Sequence, residues 1–290
     1  MGTSNENSGV WLMSYKTDLP VMLPVKPRAL EPFKSLKKRH ILLIAFLTIV
    51  GPSLVFAQTG EFEKSPLAIL LDWTPLLLSG FLFNLVISFG AMALGTFVGG
   101  LLGLGQVSLF APTRASSWLV TQFFRNAPWL VLLFFAMFLL PFELNIFGFK
   151  LPLPDWFKAI LGLSLPVMAN VSEIVRGAVR SLPSGQWEAA ESLAYTRRQT
   201  LWLIILPQCV KRMLPPWMNL YSILTMATVL ASIVGVSEVM TLTGRALAAE
   251  GGRTDLLAPF YGLVLVLFFI YCYPIARFTV WLEHKFSVIN

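Results

Sequence analysis

Six stretches of the chain are almost continuously apolar, and polar segments separate them. A run of about 20 apolar residues has the length of an α-helix that spans the hydrocarbon core of a bilayer. Strands that cross a bilayer would instead alternate between apolar and polar positions. The pattern therefore predicts membrane-spanning helices. They lie at residues 41–57, 76–105, 117–141, 156–178, 213–240 and 256–282.

The N-terminal part of the chain differs from the rest. Residues 1–40 are polar, contain several prolines and end in a basic cluster, which predicts a disordered cytoplasmic tail. Residues 41–57 are just long enough to cross the membrane and predict an extra N-terminal helix. A basic stretch, an apolar run and the ending Val55-Phe56-Ala57 are also typical of a signal peptide. Cleavage after this segment is therefore the alternative.

Composition supports a membrane protein and indicates its orientation. Of the 290 residues, 56% are apolar and 13% are charged, whereas about 25% of an average soluble protein is charged. The basic residues behind the net charge of +7 flank the apolar blocks, so they indicate topology rather than nucleic-acid binding. Most of them lie inside if both termini and residues 179–212 are cytoplasmic. Residues 142–155 and 241–255 are then outside.

The sequence contains no recognisable catalytic or metal centre. The two cysteines, Cys209 and Cys272, and the two histidines, His40 and His284, show none of the spacings of metal or redox motifs. No GxxxxGK[ST] phosphate loop is present, so the chain lacks the usual means of binding ATP. An intramembrane enzyme would need a catalytic dyad or metal ligands at depth. We therefore expect this chain not to be an enzyme.

The most informative polar segment is GQWEAAESLAYTRRQTLWLIILPQ, at residues 185–208. Pro183 and Ser184 precede it as a turn, and Glu188 suits the positive end of a helix dipole. The pattern predicts a short amphipathic helix in the cytoplasm, a bend, and a second helix that begins near Pro207 and re-enters the membrane. By itself, the pattern fits equally well a connector that lies on the lipid headgroups.

This segment resembles the EAA loop of the permease subunits of bacterial ABC importers. The family pattern is Glu-Ala-Ala, three residues, Gly, nine residues, and Ile-x-Leu-Pro. The chain matches every spacing and departs from the pattern at one position, where Ala194 replaces Gly. The loop, here 185–207, implies a helix that docks in a cleft of an ATPase, and a tight cleft would explain small residues. The residues assigned to coupling are Gly185, Glu188, Ala189, Ala190, Ala194, Ile204, Leu206 and Pro207.

Other motifs are similar to those of the polar amino acid subfamily, and the likeness covers residues 79–286. Residues 123–128, FFRNAP, resemble the subfamily's FFRGTP. Residues 173–177, EIVRG, and 185–190, GQWEAA, resemble its E-x-x-RG and GQxEAA motifs. The chain has Met226-Ala227 where the subfamily commonly has a charged pair.

The resemblance implies an all-α, polytopic membrane helix bundle with the type I ABC importer permease fold. It would have five core spans and one extra N-terminal span. Such a chain is the permease subunit of an ATP-driven, binding-protein-dependent importer in the bacterial inner membrane, and would carry a polar amino acid or related small solute. An ion-gradient-driven secondary transporter is the alternative, although neither repeated halves nor a coupling-ion site is evident.

The implied partners follow from the same resemblance. They are a cytoplasmic ABC ATPase dimer, a second permease subunit, a periplasmic solute-binding protein and the lipid bilayer, with no nucleic acid. The second permease could be identical or different, and a different one is favoured. ATP and Mg²⁺ would be bound by the ATPase, and this chain would carry no cofactor.

Polar side chains within apolar blocks are costly and are therefore candidates for a solute pathway. Glu173 and Arg176 are three residues apart, so they could instead pair with each other on one helix face. The pathway candidates are Asn84, Asn170, Glu173, Asn219, Ser222 and Thr225.

A glycine stripe lies in the block at 76–105. Gly95, Gly99 and Gly103 recur every four residues, which places them on one helix face. Small residues at this spacing let a second helix approach closely. The alternative is a helix that is merely rich in glycine, as membrane helices often are.

Overall fold

The structure is a computed structural model that describes residues 65–146 and 149–286. The predicted tail at 1–40 and the predicted first span at 41–57 lie outside the described residues. Helices make up most of the described part, which confirms the predicted all-α class.

The described ranges contain α-helices with short 3₁₀ and π segments between them. The α-helices are α1 (Pro66–Gln106), α2 (Ala111–Asn126), α3 (Trp129–Leu139), α4 (Asp155–Arg180), α5 (Ser184–Ser192), α6 (Arg197–Gln199), α7 (Leu206–Ala227), α8 (Val239–Ala249) and α9 (Leu257–Phe286). A π-helix joins α6 to α7 at Thr200–Ile205, and 3₁₀ turns lie at Thr228–Ser232 and Thr254–Leu256.

The packing of α1 along α4 forms the centre of the bundle, and the glycine stripe makes it possible. A Cβ atom added to Gly95 would lie 2.4 Å from Val167 Cγ1, and one added to Gly99 would lie 2.4 Å from Met168 O. One added to Gly103 would lie 2.6 Å from Val175 Cβ. These distances are far below van der Waals contact, so a larger residue would force the helices apart. The predicted close packing is confirmed.

The first described helix is longer than its apolar block. α1 begins at Pro66, where the Ser65 hydroxyl caps it by accepting a hydrogen bond from the Ala68 amide at 3.3 Å. Its 41 residues correspond to about 60 Å at 1.5 Å per residue. The hydrocarbon core is about 30 Å thick. The polar residues near its start therefore extend the same helix beyond the apolar block.

The predicted continuous helix over 117–141 is wrong. The chain turns by 104° between α2 and α3, as in a broken span or a re-entrant loop. Pro128 explains the break, because a proline disfavours helical geometry at the residue before it. Ala127 accordingly has an extended backbone, with φ −80° and ψ 138°.

The predicted continuous helix over 213–240 is wrong as well. α7 ends at Ala227, a 3₁₀ turn follows, and Gly235 ends that turn with a left-handed backbone, φ 91°. α8 then starts behind Glu238, whose carboxylate accepts a hydrogen bond from the Thr241 amide at 3.0 Å.

Three helical segments in the described ranges are long and apolar enough to cross a membrane by themselves. They are Pro66–Gln106, Asp155–Arg180 and Thr254–Phe286. The bent pair of α2 and α3 raises this number to as many as four. The figure of five core spans therefore stays a prediction.

A short β-hairpin, which the apolar pattern did not predict, precedes α4. Strands β1 (Glu143–Ile146) and β2 (Phe149–Pro152) pair antiparallel, with Glu143 opposite Pro152 and Ile146 opposite Phe149. The fully buried Lys158 ammonium of α4 lies 3.9 Å from the centroid of the Phe142 ring next to β1. This cation–π contact ties the hairpin to the first turns of α4.

Candidate functional site

The EAA segment, residues 183–208, forms a helix, a tight turn and a second helix, as the sequence predicted. α5 starts directly after Pro183 and ends in a Schellman cap. In this cap the Tyr195 amide donates to Ala190 O at 3.1 Å, and the Ala194 amide donates to Glu191 O at 2.9 Å. Ala194 takes the left-handed backbone that the motif requires, with φ 57°. The family's glycine is therefore replaced at the one position that favours glycine.

α5 has one face against its own chain and one face in the open. Trp187 packs on a buried apolar cluster, and Ala190 is only 2% exposed. Gly185, Glu188 and Ala189 lie on the exposed face. The cluster beneath Trp187 consists of Ala178, Val179, Leu182, Ile205 and Cys209. Packing within this chain therefore explains the small size of Ala190, and the expectation that it is small to fit an ATPase cleft is not needed.

Side chains of α6 and α7 contact α5 and the residues just before it and hold α5 in place. The Arg197 guanidinium lies 3.7 Å from the centroid of the Trp187 ring. Gln208 Nε2 donates to Gln186 Oε1 at 3.3 Å. Further towards the membrane blocks, Arg212 Nη1 donates to the carbonyl oxygen of Ser181 at 2.9 Å. The first two contacts lie within the EAA segment and the third closes it from the flanking residues, so α5 and the start of α7 form one unit.

The Ile-x-Leu-Pro motif lies where a π-helix changes into α7. Pro207 occupies the first turn of α7, and Ile204 and Leu206 beside it are half-buried. A proline has no N–H, and its ring clashes with the carbonyl four residues earlier in a regular α-helix. The wider π-helix at Thr200–Ile205 places this carbonyl elsewhere. Such π segments recur at functional sites.

The vestibule cavity, a space of about 590 Å³, lies between α2, α4 and α7. It brings together Asn170, Glu173 and Asn219 of the predicted pathway residues. Arg176 Nε donates to Glu173 Oε1 at 3.1 Å, which confirms that these two residues pair. Arg125 of FFRNAP also donates, from Nη1 to Glu173 Oε2 at 3.2 Å.

Buried polar groups hold Glu173 in place from behind. Gln106 Nε2 lies 2.8 Å from Ser172 Oγ, 3.1 Å from Thr121 Oγ1 and 3.2 Å from Glu173 Oε1, so its two N–H groups are shared among these acceptors. Ser172 and Thr121 are also hydrogen-bonded to each other at 3.0 Å. This network links α1, α2 and α4 behind the cavity wall.

The other predicted pathway residues do not line the vestibule cavity. Ser222 and Thr225 donate to backbone carbonyls of their own helix, at 3.4 Å and 2.9 Å. Asn84 lies in a separate cluster, where Nδ2 donates to Thr228 Oγ1 and to Glu238 Oε2, both at 2.9 Å. Asn84, Ser222 and Thr225 thus contribute to packing rather than to an open surface.

The sequence analysis missed several residues of these clusters, among them Gln106, Glu238, Arg125 and Arg212. Glu238 is 0% exposed and lies within the predicted apolar block 213–240, where an ionisable side chain is a signal in itself. Arg125 and Arg212 belong to the basic residues that indicate topology in the sequence, yet both line the vestibule cavity. Arg125 is part of the FFRNAP motif, which could have indicated it, whereas nothing in the local sequence pattern points to Arg212.

Comparison with known proteins identifies the family. The family model described as "Binding-protein-dependent transport system inner membrane component" matches residues 108–287. The probable amino-acid ABC transporter permease protein YckA of Bacillus subtilis is 33% identical, covering 73% of this chain and 90% of its own. The arginine transport system permease protein ArtQ of the same organism is 30% identical over 68% and 89% of the two chains.

A solved structure shows the same fold. A crystal structure of an amino acid ABC transporter with histidines superimposes with a TM-score of 0.65 at 22% identity. The match covers 77% of this chain and all of that one.

These matches also distinguish an ABC permease from an enzyme and from an ion-gradient-driven transporter. ABC permease subunits are not enzymes themselves, and they work with a separate ATPase and a binding protein. The alternative of an ion-gradient-driven transporter finds no support. Since the family model covers more than half of the chain, the chain belongs to the family of binding-protein-dependent transport system inner membrane components, the permease subunits of ABC importers.

Proposed function

We propose that this permease carries a polar amino acid or a related small solute, and that α5 couples it to the ATPase. The names of YckA and ArtQ support the amino acid class, as do the FFRNAP, EIVRG and GQWEAA motifs. The same proposal assigns the chain to the bacterial inner membrane, as a multi-pass protein with both termini in the cytoplasm.

The observation that carries the coupling proposal is the asymmetry of α5. Trp187 and Ala190 fix the inner face, while Glu188 and Ala189 lie exposed on the outer face. A helix that is braced in this way moves as a rigid element when a partner pushes on its free face. The contacts to α7 then pass the movement to the wall of the vestibule cavity.

The solute pathway is assigned to the vestibule cavity. Asn170, Glu173 and Asn219 supply its polar lining. The buried residues Asn84, Ser222 and Thr225 keep a supporting role, because they fix the helices that form the pathway. Gly185 belongs to the face that would touch the partner. Ala194, Ile204, Leu206 and Pro207 act in coupling by shaping and orienting α5.

The assembly would contain two permease subunits and an ATPase dimer that binds ATP and Mg²⁺, with a periplasmic binding protein outside. A different second permease is favoured, because Met226-Ala227 replaces a charged pair that a partner could supply. This chain would then contribute no cofactor of its own.

Reconstitution of the complete complex in proteoliposomes tests the function. We expect uptake of labelled polar amino acids that needs ATP on the cytoplasmic side and faster hydrolysis when liganded binding protein is added. The purified permease alone should bind no nucleotide. Nucleotide binding by this chain alone, or uptake driven by a proton gradient without ATP, would contradict the proposal.

A further inference from the structure

The vestibule cavity has an excess of positive charge. The guanidinium groups of Arg125, Arg176 and Arg212 line it, together with the single carboxylate of Glu173. Arg125 and Arg176 both donate to Glu173, which satisfies that carboxylate from two sides. The remaining charge has no acidic partner among the described lining residues.

Of the three guanidinium groups, only that of Arg212 makes no ion pair with a carboxylate of the described residues. Its Nη1 atom donates to Ser181 O at 2.9 Å and to Ser181 Oγ at 3.0 Å, and both acceptors are neutral. Within residues 65–146 and 149–286, no carboxylate lies at ion-pair distance from it. A guanidinium can bind a carboxylate through two parallel N–H groups, and Arg212 keeps donors free for such a contact.

The amides in the cavity suit the rest of an amino acid. Asn219 is exposed, and its side-chain amide makes no hydrogen bond with the described residues. Asn170 donates through Nδ2 to Pro166 O at 2.8 Å, which leaves its Oδ1 atom able to accept from an ammonium group. A volume of about 590 Å³ lies within the range of small-molecule sites.

We propose that the vestibule cavity binds the carboxylate of the transported solute on Arg212, with Asn170 and Asn219 next to its ammonium group. This inference rests on the proposed import of amino acids and specifies the chemistry of the pathway. Arg212 lies beside Ser181, between the end of α4 and the EAA segment. The site is therefore at the cytoplasmic end of the pathway, where the solute leaves the permease.

A cysteine reporter measures the local charge. Asn219→Cys is introduced into the complete complex in phosphatidylcholine nanodiscs. The complex without this substitution measures the background labelling of the two buried native cysteines, Cys209 and Cys272. An anionic sulfonatoethyl and a cationic trimethylammonium methanethiosulfonate are compared, each normalised to free cysteine. We expect the anionic reagent to be favoured, and the preference to fall roughly threefold to tenfold with Arg212→Gln.

Lys211→Gln is the matched control, because Lys211 is exposed, adjacent in sequence and outside the cavity lining. It should leave the preference unchanged. An equal fall for both variants, or no preference for the anionic reagent, would overturn the proposal.

Protection of the reporter identifies the occupant. Polar L-amino acids are compared with their decarboxylated amines, for example L-arginine with agmatine and L-glutamine with 4-aminobutanamide. At least one amino acid should slow labelling severalfold, while its amine does not. Equal protection by the amine, or no protection by any acid, would overturn the proposal. Protection by phosphatidylglycerol in the nanodisc, independent of amino acid, would assign the site to lipid phosphate and overturn it as well.

Uptake separates this inference from the function on which it rests. If the wild-type complex imports an amino acid with ATP, Arg212→Gln should raise its KM severalfold. An unchanged KM would refute the carboxylate site and leave the importer assignment intact. If the wild-type complex imports no amino acid, the proposed function fails, and this inference fails with it.

Discussion

Ala194 shows how one residue can depart from a family pattern while the backbone keeps the shape that the pattern encodes. Three helical segments of the described chain end in the same hydrogen-bonded turn, and two of them place Gly235 and Gly251 at the left-handed position. The third places Ala194 there. A Cβ in this region is strained by about 1–2 kcal/mol, so the cap of α5 stores strain that a glycine would release.

Ala194→Gly should therefore stabilise the permease. The strain relief exceeds the larger unfolded-state entropy of glycine, which is worth about 0.4–1 kcal/mol, so a net gain of about 0.5–1 kcal/mol follows. Denaturant titration of the purified chain in mixed micelles measures it. Ala189→Gly, in the same helix with ordinary helical geometry, is the control and should lose about 1 kcal/mol. A loss of stability for both variants would count against the left-handed cap.

The sequence could locate the EAA segment but could not tell which alanine faces outward. Spacing places Ala189 and Ala190 in the same helix turn, and only the packing of Trp187 decides that Ala190 is covered. The sequence likewise could not show that Glu238 is buried. The block 213–240 that contains Glu238 is apolar on average. The hydrogen bond that stabilises the buried Glu238 carboxylate comes from Asn84, more than 150 positions earlier in the sequence.

At the scale of elements, glycine spacing and proline position determine how the helices pack and where they break. The glycine stripe on α1 predicted close packing, and the partner proved to be α4. The breaks at Pro128 and Gly235 were not predicted, because the apolar blocks continue across them. Hydropathy reports the surroundings of a segment and not its backbone direction, so it cannot distinguish a bent pair from a straight span.

Gly99→Ala should separate α1 from α4. The new methyl group would lie 2.4 Å from Met168 O, a backbone atom that cannot rotate away. Overpacking of this kind costs about 1–3 kcal/mol, to be measured by the same denaturant titration. Gly100→Ala is the matched control, since nothing lies within 4 Å of its added Cβ. Equal stability of the two variants would contradict the tight interface.

At the scale of the whole molecule, orientation decides what each end of the bundle can bind. α4 carries the β-hairpin before its first turn and α5 after its last one. Its 26 residues span about 39 Å, enough to separate the two by a membrane. The distribution of basic residues predicts that α5 lies in the cytoplasm, where the proposed ATPase contact would be.

Cysteine labelling in whole cells tests this orientation. Glu143→Cys should react with an impermeant maleimide from outside, whereas Ser184→Cys should react only after the membrane is opened. We expect a low native background, because both Cys209 and Cys272 are buried and burial raises the pKa of the Cys209 thiol. Labelling of position 184 from outside would reverse the assigned topology.

The most direct test of the account is the association of the ATPase with Ala189→Trp. This exposed position faces away from the chain, so the substitution should leave the permease folded and block docking. Overpacking a contact costs about 1–3 kcal/mol, which corresponds to a loss of affinity of roughly one to two orders of magnitude. Ala248→Trp, an exposed alanine of α8 in the segment assigned to the outside, is the control and should keep full association. Co-purification of the ATPase and uptake of labelled solute should both fall for Ala189→Trp alone. Full association and full uptake by that variant would show that α5 is a surface connector and would contradict its role as the coupling helix.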